Sequence, residues 1–189
     1  LVANGVLNPQ FFTLTWRDGH LYGALIDILN RAAPLMTVAL GMTVVIATRG
    51  IDISVGAVVA IAAAVAASLI GGKLVIVDGQ QIHAPSVAMP LALLAALAAA
   101  ALCGLFNGVL VASVGIQPII ATLILMVAGR GIAQLITGGQ IITIYHPPYF
   151  FIGAGHLLGL PFALWLVAAL LALMAWLKHR TALGLFIQA

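Results

Sequence analysis

The chain predicts an all-α fold, a polytopic transmembrane helical bundle, and three observations carry that prediction. Hydrophobic residues make up 64% of the 189 and charged residues only 6%, against roughly one quarter charged in a soluble domain. Mean hydropathy is +1.25. Long apolar runs recur without two-residue alternation, which excludes barrel strands; backbone inside hydrocarbon must then satisfy its own hydrogen bonds as helix.

The elements follow in order, about five spans in all. Residues 1–20 are mixed, and Asn8-Pro9 and Trp16-Arg17-Asp18-Gly19 read as turns and interface anchors. A helix is predicted from Tyr22 to Thr48, amphipathic at first. Asp27, Asn30 and Arg31 share a face there, Asp27 and Arg31 form a favourably ordered i,i+4 pair, and Pro34 is expected to kink the helix. Its strongly apolar part, Pro34 to Thr48, has a length of roughly 22 Å, short of about 30 Å of hydrocarbon. Either the amphipathic part enters the membrane or the helix ends at depth.

Ile53 to Ile70 gives a second span, rich in Ala and Val. Gly71 to Ser86, with Lys73, Asp78, His83 and Pro85, reads as a polar connection. Val87 to Ser113 is a third span, and Val114 to Pro118 a short turn. Pro is favoured in the first helical turn, so Gln117-Pro118 marks the start of the fourth span, Ile119 to Thr137. Gly138 to Pro161 reads as irregular, with His146-Pro147-Pro148-Tyr149 excluding regular helix locally. The last span, Phe162 to Leu177, ends at Lys178-His179-Arg180. If that cluster is cytoplasmic, alternation puts Arg49 inside with it, against Arg17, Arg31 and Lys73 outside, a tie by count.

Composition removes several function classes. Lys and Arg total 7 against 4 acidic residues, a net charge of +3, too sparse and scattered for a nucleic-acid surface. Cys103 is the only cysteine, so neither a disulfide framework nor a cysteine metal site can be built. HExxH, GxSxG and GxxxxGK[ST] are all missing, and the five histidines are scattered. The chain therefore does not read as an enzyme.

Polar groups inside apolar spans are the candidate site. Arg130 lies within Ala121 to Thr137, and at 100° per residue Gln134 and Thr137 fall within about 40° of it and Thr122 at about 80°. A charge at mid-bilayer costs at least about 2.5–3.5 kcal/mol, so Arg130 should face protein or a water-filled path. It either lines a substrate route or is a structural arginine bonded within the bundle, and the flanking Gly129 and Gly131 leave room for close approach. Asp52 can line a pathway; equally, Asp52 or Ser54 can cap the helix starting near Ile53. Asn107 lies between Gly104 and Gly108, a spacing that lets helices pack closely while the amide bonds across the contact.

Three stretches resemble the permease subunits of bacterial ABC importers for monosaccharides, the ribose/xylose/galactoside type. They are LNRAAPLMTVALGMTVVIATRGIDISVGAVVAI (Leu29 to Ile61), NGVLVASVGIQPIIATLILMVAGRGIAQLITGGQIIT (Asn107 to Thr143) and TALG (Thr181 to Gly184). Within that family, TLILMVAGRGIAQLIT is worded most like the galactofuranose branch. Family members commonly read Gly-Gly-Ile-Asp where this chain has Arg49-Gly50-Ile51-Asp52, and often carry Arg after TALG where it has Leu185.

The resemblance implies that residues 1–189 are part of a transmembrane permease domain, with the family's first helix and C-terminal spans expected outside this sequence. It also implies a pore-forming subunit that takes a sugar from a periplasmic binding protein. ABC ATPase subunits would bind and hydrolyse ATP, leaving this chain no cofactor of its own. A second permease copy or a paralogue would pair with it in the bacterial inner membrane. The coupling contact to the ATPase is expected to continue from Thr181, Ala182, Leu183 and Gly184.

For a neutral sugar the path needs uncharged hydrogen-bonding groups, which Thr122, Gln134, Thr137 and Asn107 supply. Arg130 is expected at the gate or wall. Two alternatives stand beside this reading. One is a passive channel or secondary transporter for a small polar solute, for which Asp52 is the sole carboxylate in or beside a span. The other is a non-transporting structural membrane subunit.

Overall fold

The structure is a computed structural model and describes residues 9–17, 19–48, 50–71, 73–77, 80–84 and 86–180. In chain order, a 3-10 turn at Pro9–Phe12 precedes strands β1 (Thr15–Arg17) and β2 (His20–Tyr22) and helices α1 (Ala24–Ala47) and α2 (Val55–Ile70). Strands β3 (Lys73–Val77) and β4 (Gln80–Ala84) follow, then α3 (Met89–Ala112), α4 (Pro118–Thr137) and α5 (Pro147–Ala154). Strands β5 (His156–Leu157) and β6 (Leu160–Pro161) lead into α6 (Phe162–Arg180). The chain forms two compact units, residues 1–48 with 150–189, and residues 49–149.

The expected helical membrane architecture is present. Among the described residues four helices, α1, α3, α4 and α6, are long and apolar enough to cross a membrane. The fifth expected span is the shorter α2, whose 16 residues reach roughly 24 Å at about 1.5 Å each. For α1 the dilemma over length is settled in favour of one continuous helix. Its 24 residues run through Pro34 and reach roughly 36 Å, so the amphipathic start contributes to the span.

In the unit of residues 49–149, α2 packs against both α3 and α4. Alanine makes this possible, because small side chains let helix backbones approach closely. Ala66 and Ile70 of α2 are buried with Ala92 and Ala96 of α3, while Ile61 and Ala64 are buried with Ala133 of α4. Gly129 marks a close approach of α4 to α2: a Cβ there would lie 2.9 Å from Ala57 Cβ and 3.3 Å from Ile61 Cδ1. The turn between α3 and α4 uses Gly115 at φ +79°, and the amide of Ile116 closes onto Leu110 O at 3.0 Å. Gln117 then starts α4 with Pro118 in its first turn, as the sequence predicts. At the other end Gly138, in the left-handed region, and Gly139 donate to Leu135 O and Gln134 O, a Schellman stop.

Three hairpins occupy segments that the sequence marks only as polar or irregular. Gly71 to Ser86 contains the antiparallel pair β3–β4; Asp78 and Pro85 lie outside the described residues. Strands β1 and β2 pair Arg17 with His20 around a turn at Gly19, φ +79°, so Trp16 and Arg17 belong to a strand rather than to the turn. The third hairpin, β5–β6, turns through Leu158 and Gly159, at φ +53° and +83°, the left-handed pair a tight hairpin requires. The expectation that His146-Pro147-Pro148-Tyr149 excludes helix is corrected: α5 begins at Pro147. A proline in the first turn lacks only an N–H that would have no intrahelical partner.

In the unit formed by residues 1–48 and 150–189, α1 packs against α6. Hairpins β1–β2 and β5–β6 are joined by Leu21 N–H donating to Gly159 O at 2.9 Å, and Trp16 covers Gly159 closely enough to exclude a Cβ. Each hairpin leads directly into a helix, so α1 and α6 start together and run parallel. Lys178, His179 and Arg180 occupy the last turn of α6, at the end away from the hairpins. Asp27 and Arg31 form no ion pair with each other; both are exposed.

Candidate functional site

Asp52 and Ser54 lie where the chain enters α2. One carboxylate oxygen, Asp52 Oδ1, accepts the backbone N–H of Ser54 at 2.7 Å and its hydroxyl at 2.6 Å. The first bond closes a local turn just ahead of α2; Ser54 is the N-cap residue, and no side chain makes the capping bond into the helix. The second holds Ser54, which is 0% exposed, in a charge-assisted bond. Across the helix contact, Asn107 Nδ2 of α3 donates to Ser54 Oγ at 3.0 Å. Thr122 of α4 is also buried; its hydroxyl donates to Pro118 O at 2.9 Å and reaches Ile51 O at 3.5 Å.

The entry to α2 and helix α3 thus share one polar knot in an otherwise apolar contact, and Thr122 of α4 touches the same entry segment through Ile51 O. Of the predicted residues, the structure gathers Asp52 and Asn107 through Ser54, with Thr122 beside the same entry segment. Ser54 was weighed from sequence only as a cap, and its role as the bridge depends on a partner 53 residues away. The expectation for Asn107 divides. Its amide does bond across a helix contact, but Gly104 and Gly108 play no part in that contact, since a Cβ added at either would meet nothing within 4 Å.

The predicted stripe on α4 is divided by burial. Thr122 turns inward with Ala121, Leu125, Gly129 and Ala133, whereas Arg130 and Gln134 are exposed and Thr137 is half-buried. Thr137 donates back to Gln134 O at 3.2 Å. Gln134 and Thr137 edge an open groove of about 290 Å³ whose other walls are Ala60, Ala63, Ala64 and Ala67 of α2, with Ala133 and Ile142. Arg130 makes no ion pair among the described residues. The groove is almost wholly apolar apart from this edge. Thr181, Ala182, Leu183, Gly184 and Arg49 lie outside the described residues.

Among the described residues no group of three or more His, Cys, Asp or Glu side chains could hold a metal ion. The arrangement consists of hydrogen-bonding groups on helices and at the entry to α2.

Comparison with known proteins matches residues 24–189 to a family described as branched-chain amino acid transport system / permease component. The galactofuranose transporter permease protein YtfT of Escherichia coli K12 is 48% identical over 190 residues, covering 100% of this chain and 52% of that protein. The fructose import permease protein FruF of Bifidobacterium longum is 35% identical over 97% of the chain and 50% of its own length. The ribose import permease protein RbsC of Escherichia coli K12 is 34% identical over 97% and 52%. The chain spans about half the length of the curated relatives it matches. No solved structure matches it.

Proposed function

The chain belongs to the branched-chain amino acid transport system / permease component family, and from that membership we propose that it forms part of the membrane pathway of an ATP-driven monosaccharide importer. With its spans it is a multi-pass protein of the inner membrane. Three relatives with coverage of nearly the whole chain are named for galactofuranose, fructose and ribose, which supports a sugar as the cargo. A galactofuranose-type sugar is the first candidate, on 48% identity.

The observation that carries this reading is the uncovered polar edge of α4. An arginine on an apolar span is too costly to leave facing lipid, so the side of α4 bearing Arg130 and Gln134 faces protein or water in the assembled transporter. Beside it runs the groove edged by Gln134 and Thr137. Sugar hydroxyls are matched by such uncharged groups, and Arg130 holds the gate or the wall.

Residues 1–189 act as part of one permease domain. Its partners are ABC ATPase subunits, which bind and hydrolyse the ATP, a periplasmic sugar-binding protein, and a second permease copy or paralogue. The Thr181–Gly184 segment leads to the ATPase contact. The parallel α1 and α6 favour one orientation: with Lys178–Arg180 cytoplasmic by the positive-inside rule, hairpins β1–β2 and β5–β6 face the periplasm.

The test is uptake by the full-length permease, reconstituted with its ATPase and binding protein, using labelled D-galactose in furanose and pyranose forms, D-ribose and D-fructose. ATP-dependent accumulation of at least one is the expected result. Equilibration without ATP would instead identify a passive or secondary carrier, and no movement of any sugar would leave a structural subunit.

A further inference from the structure

The hydroxyl of Ser54 has a single proton, and its neighbours determine where that proton points. Asp52 Oδ1 lies 2.6 Å from Ser54 Oγ, and Asn107 Nδ2 lies 3.0 Å from it. A carboxylate oxygen accepts only, so Ser54 donates to Asp52 and must accept from Asn107. Turning the amide over would bring Asn107 Oδ1 against an oxygen with no proton left to give. The amide orientation is therefore set by the relay, and Oδ1 is directed away from Ser54.

Asn107 Oδ1 is buried with no hydrogen-bond partner, on a side chain only 7% exposed. A buried acceptor left unmet carries its full desolvation cost, and native interiors seldom keep one without a use. Asp52 is half-exposed and its second oxygen is likewise only an acceptor. The knot thus offers two acceptors to whatever approaches it, beside the second amide N–H of Asn107. It stands at the start of α2, where the positive end of the helix dipole offsets part of the Asp52 charge, and a neutral O–H donor can satisfy Asn107 Oδ1 without bringing a further charge into the contact.

We propose that this knot is a hydroxyl-binding subsite of the sugar path, in which Asn107 Oδ1 accepts a hydrogen bond from one sugar hydroxyl and Ser54 is the positioning residue that presents it. The inference rests on the importer reading above. Approach is from the half-exposed Asp52, and contact with Asn107 forms when α3 draws back from α2 during the transport cycle. The unmet acceptor then gains its partner only with sugar in place, so the site favours the loaded state without holding sugar in the resting one. Water offers the same O–H chemistry, and the experiment separates the two sources.

Uptake is measured for the full-length permease with its ATPase and binding protein in proteoliposomes, using whichever of D-galactose, D-ribose and D-fructose it carries and each monodeoxy analogue of that sugar. Asn107→Leu is expected to lower uptake of the parent sugar about 3- to 10-fold, the worth of one neutral hydrogen bond. One monodeoxy analogue should be carried equally by wild type and Asn107→Leu, because the hydroxyl that Asn107 receives is already gone. Ser54→Ala, which leaves the amide free to turn, should reduce discrimination against that same analogue. It provides the reading if Asn107→Leu fails to assemble.

A uniform fall across the parent and every analogue would assign the acceptor to water or to a protein donor and overturn the subsite. Unchanged uptake in both variants would overturn it too. Wild-type transporter that hydrolyses ATP yet carries none of the three sugars would instead strike the importer reading, so the two failures are distinguishable.

Discussion

Two polar regions lie within one compact unit of this chain, both carried on apolar helices, and the fold treats them in opposite ways. At the start of α2, Asp52, Ser54 and Asn107 are linked through hydrogen bonds of 2.6–3.0 Å inside the contact with α3. On α4, Arg130 and Gln134 are left exposed. Charge alone would predict the reverse, since the arginine is the group most costly to leave uncovered in hydrocarbon. The division follows partner supply. The knot bonds Asp52, Ser54 and Asn107 to one another and leaves Asn107 Oδ1 unmet, whereas Arg130 finds no carboxylate among the described residues. The geometry of the knot is thereby set by this chain's own packing, and the environment of the α4 edge by what the chain meets.

The sharpest break in that comparison is steric. Gly129 and Gly131 flank Arg130, yet a Cβ at Gly129 would press on Ala57 and Ile61, while one at Gly131 would meet nothing within 4 Å. Gly129→Leu should force α4 from α2 and destabilise the full-length permease by about 1–3 kcal/mol, the usual cost of overpacking, or more where a whole side chain is inserted. Gly131→Leu should leave the fold intact. Thermal unfolding in detergent checks both, and equal losses would show that the exposed and buried faces of α4 have been assigned wrongly.

A smaller effect is expected at the turn that leads into α2. Asp52→Ala removes the acceptor for both the Ser54 amide and its buried hydroxyl, at a cost of about 1–2 kcal/mol. Asp52→Asn keeps a side-chain oxygen in place and should recover most of that loss. If both variants melt together, the negative charge near the helix start matters more than the hydrogen bonds do.

Accessibility distinguishes the same two regions without disturbing either. In a Cys103→Ala background, Gln134→Cys should react with a small hydrophilic maleimide in the assembled transporter, because Gln134 edges the open groove. Thr122→Cys, at a position 4% exposed, should stay protected. Labelling at least about tenfold faster at 134 than at 122 is the expected contrast, given how strongly thiol reactions depend on access. Protection of both would place the α4 edge against protein or lipid and remove it from the water-filled path.

Much of the fold was legible because long apolar runs have few structural solutions in lipid. The predicted Tyr22–Thr48 became Ala24–Ala47, and Gln117-Pro118 marked a helix start because proline's missing N–H has no role in the first turn. Hairpins were not legible: strands of two to five residues sit in polar stretches where no periodicity accumulates. The start of α5 at Pro147 is not legible because a Pro-Pro pair that breaks a helix interior is compatible with a helix start. In the candidate site, a helix start at Asp52–Ser54 could be read locally, with Ser54 as the N-cap residue. The link from Ser54 to Asn107 could not, since it arises only when α2 and α3 meet. The helical wheel grouped Thr122 with Arg130, but an offset of about 80° suffices to carry a residue from an exposed edge into a buried face.

Arg130→Ala should have the least effect on the fold and still alter function. An exposed surface position tolerates substitution within about 0.5 kcal/mol, so assembly and melting of the full-length permease should be unchanged. Uptake should fall by about tenfold or more if the guanidinium bonds to the gate or wall during transport, the equivalent of one hydrogen bond to a charged group. Arg130→Lys keeps the charge but loses the planar fork, so partial uptake would indicate that charge suffices, and none that the fork geometry is required. Normal uptake with normal assembly in Arg130→Ala would mean that the arginine only covers an interface, and the path would then have to run along the Gln134 and Thr137 edge without it.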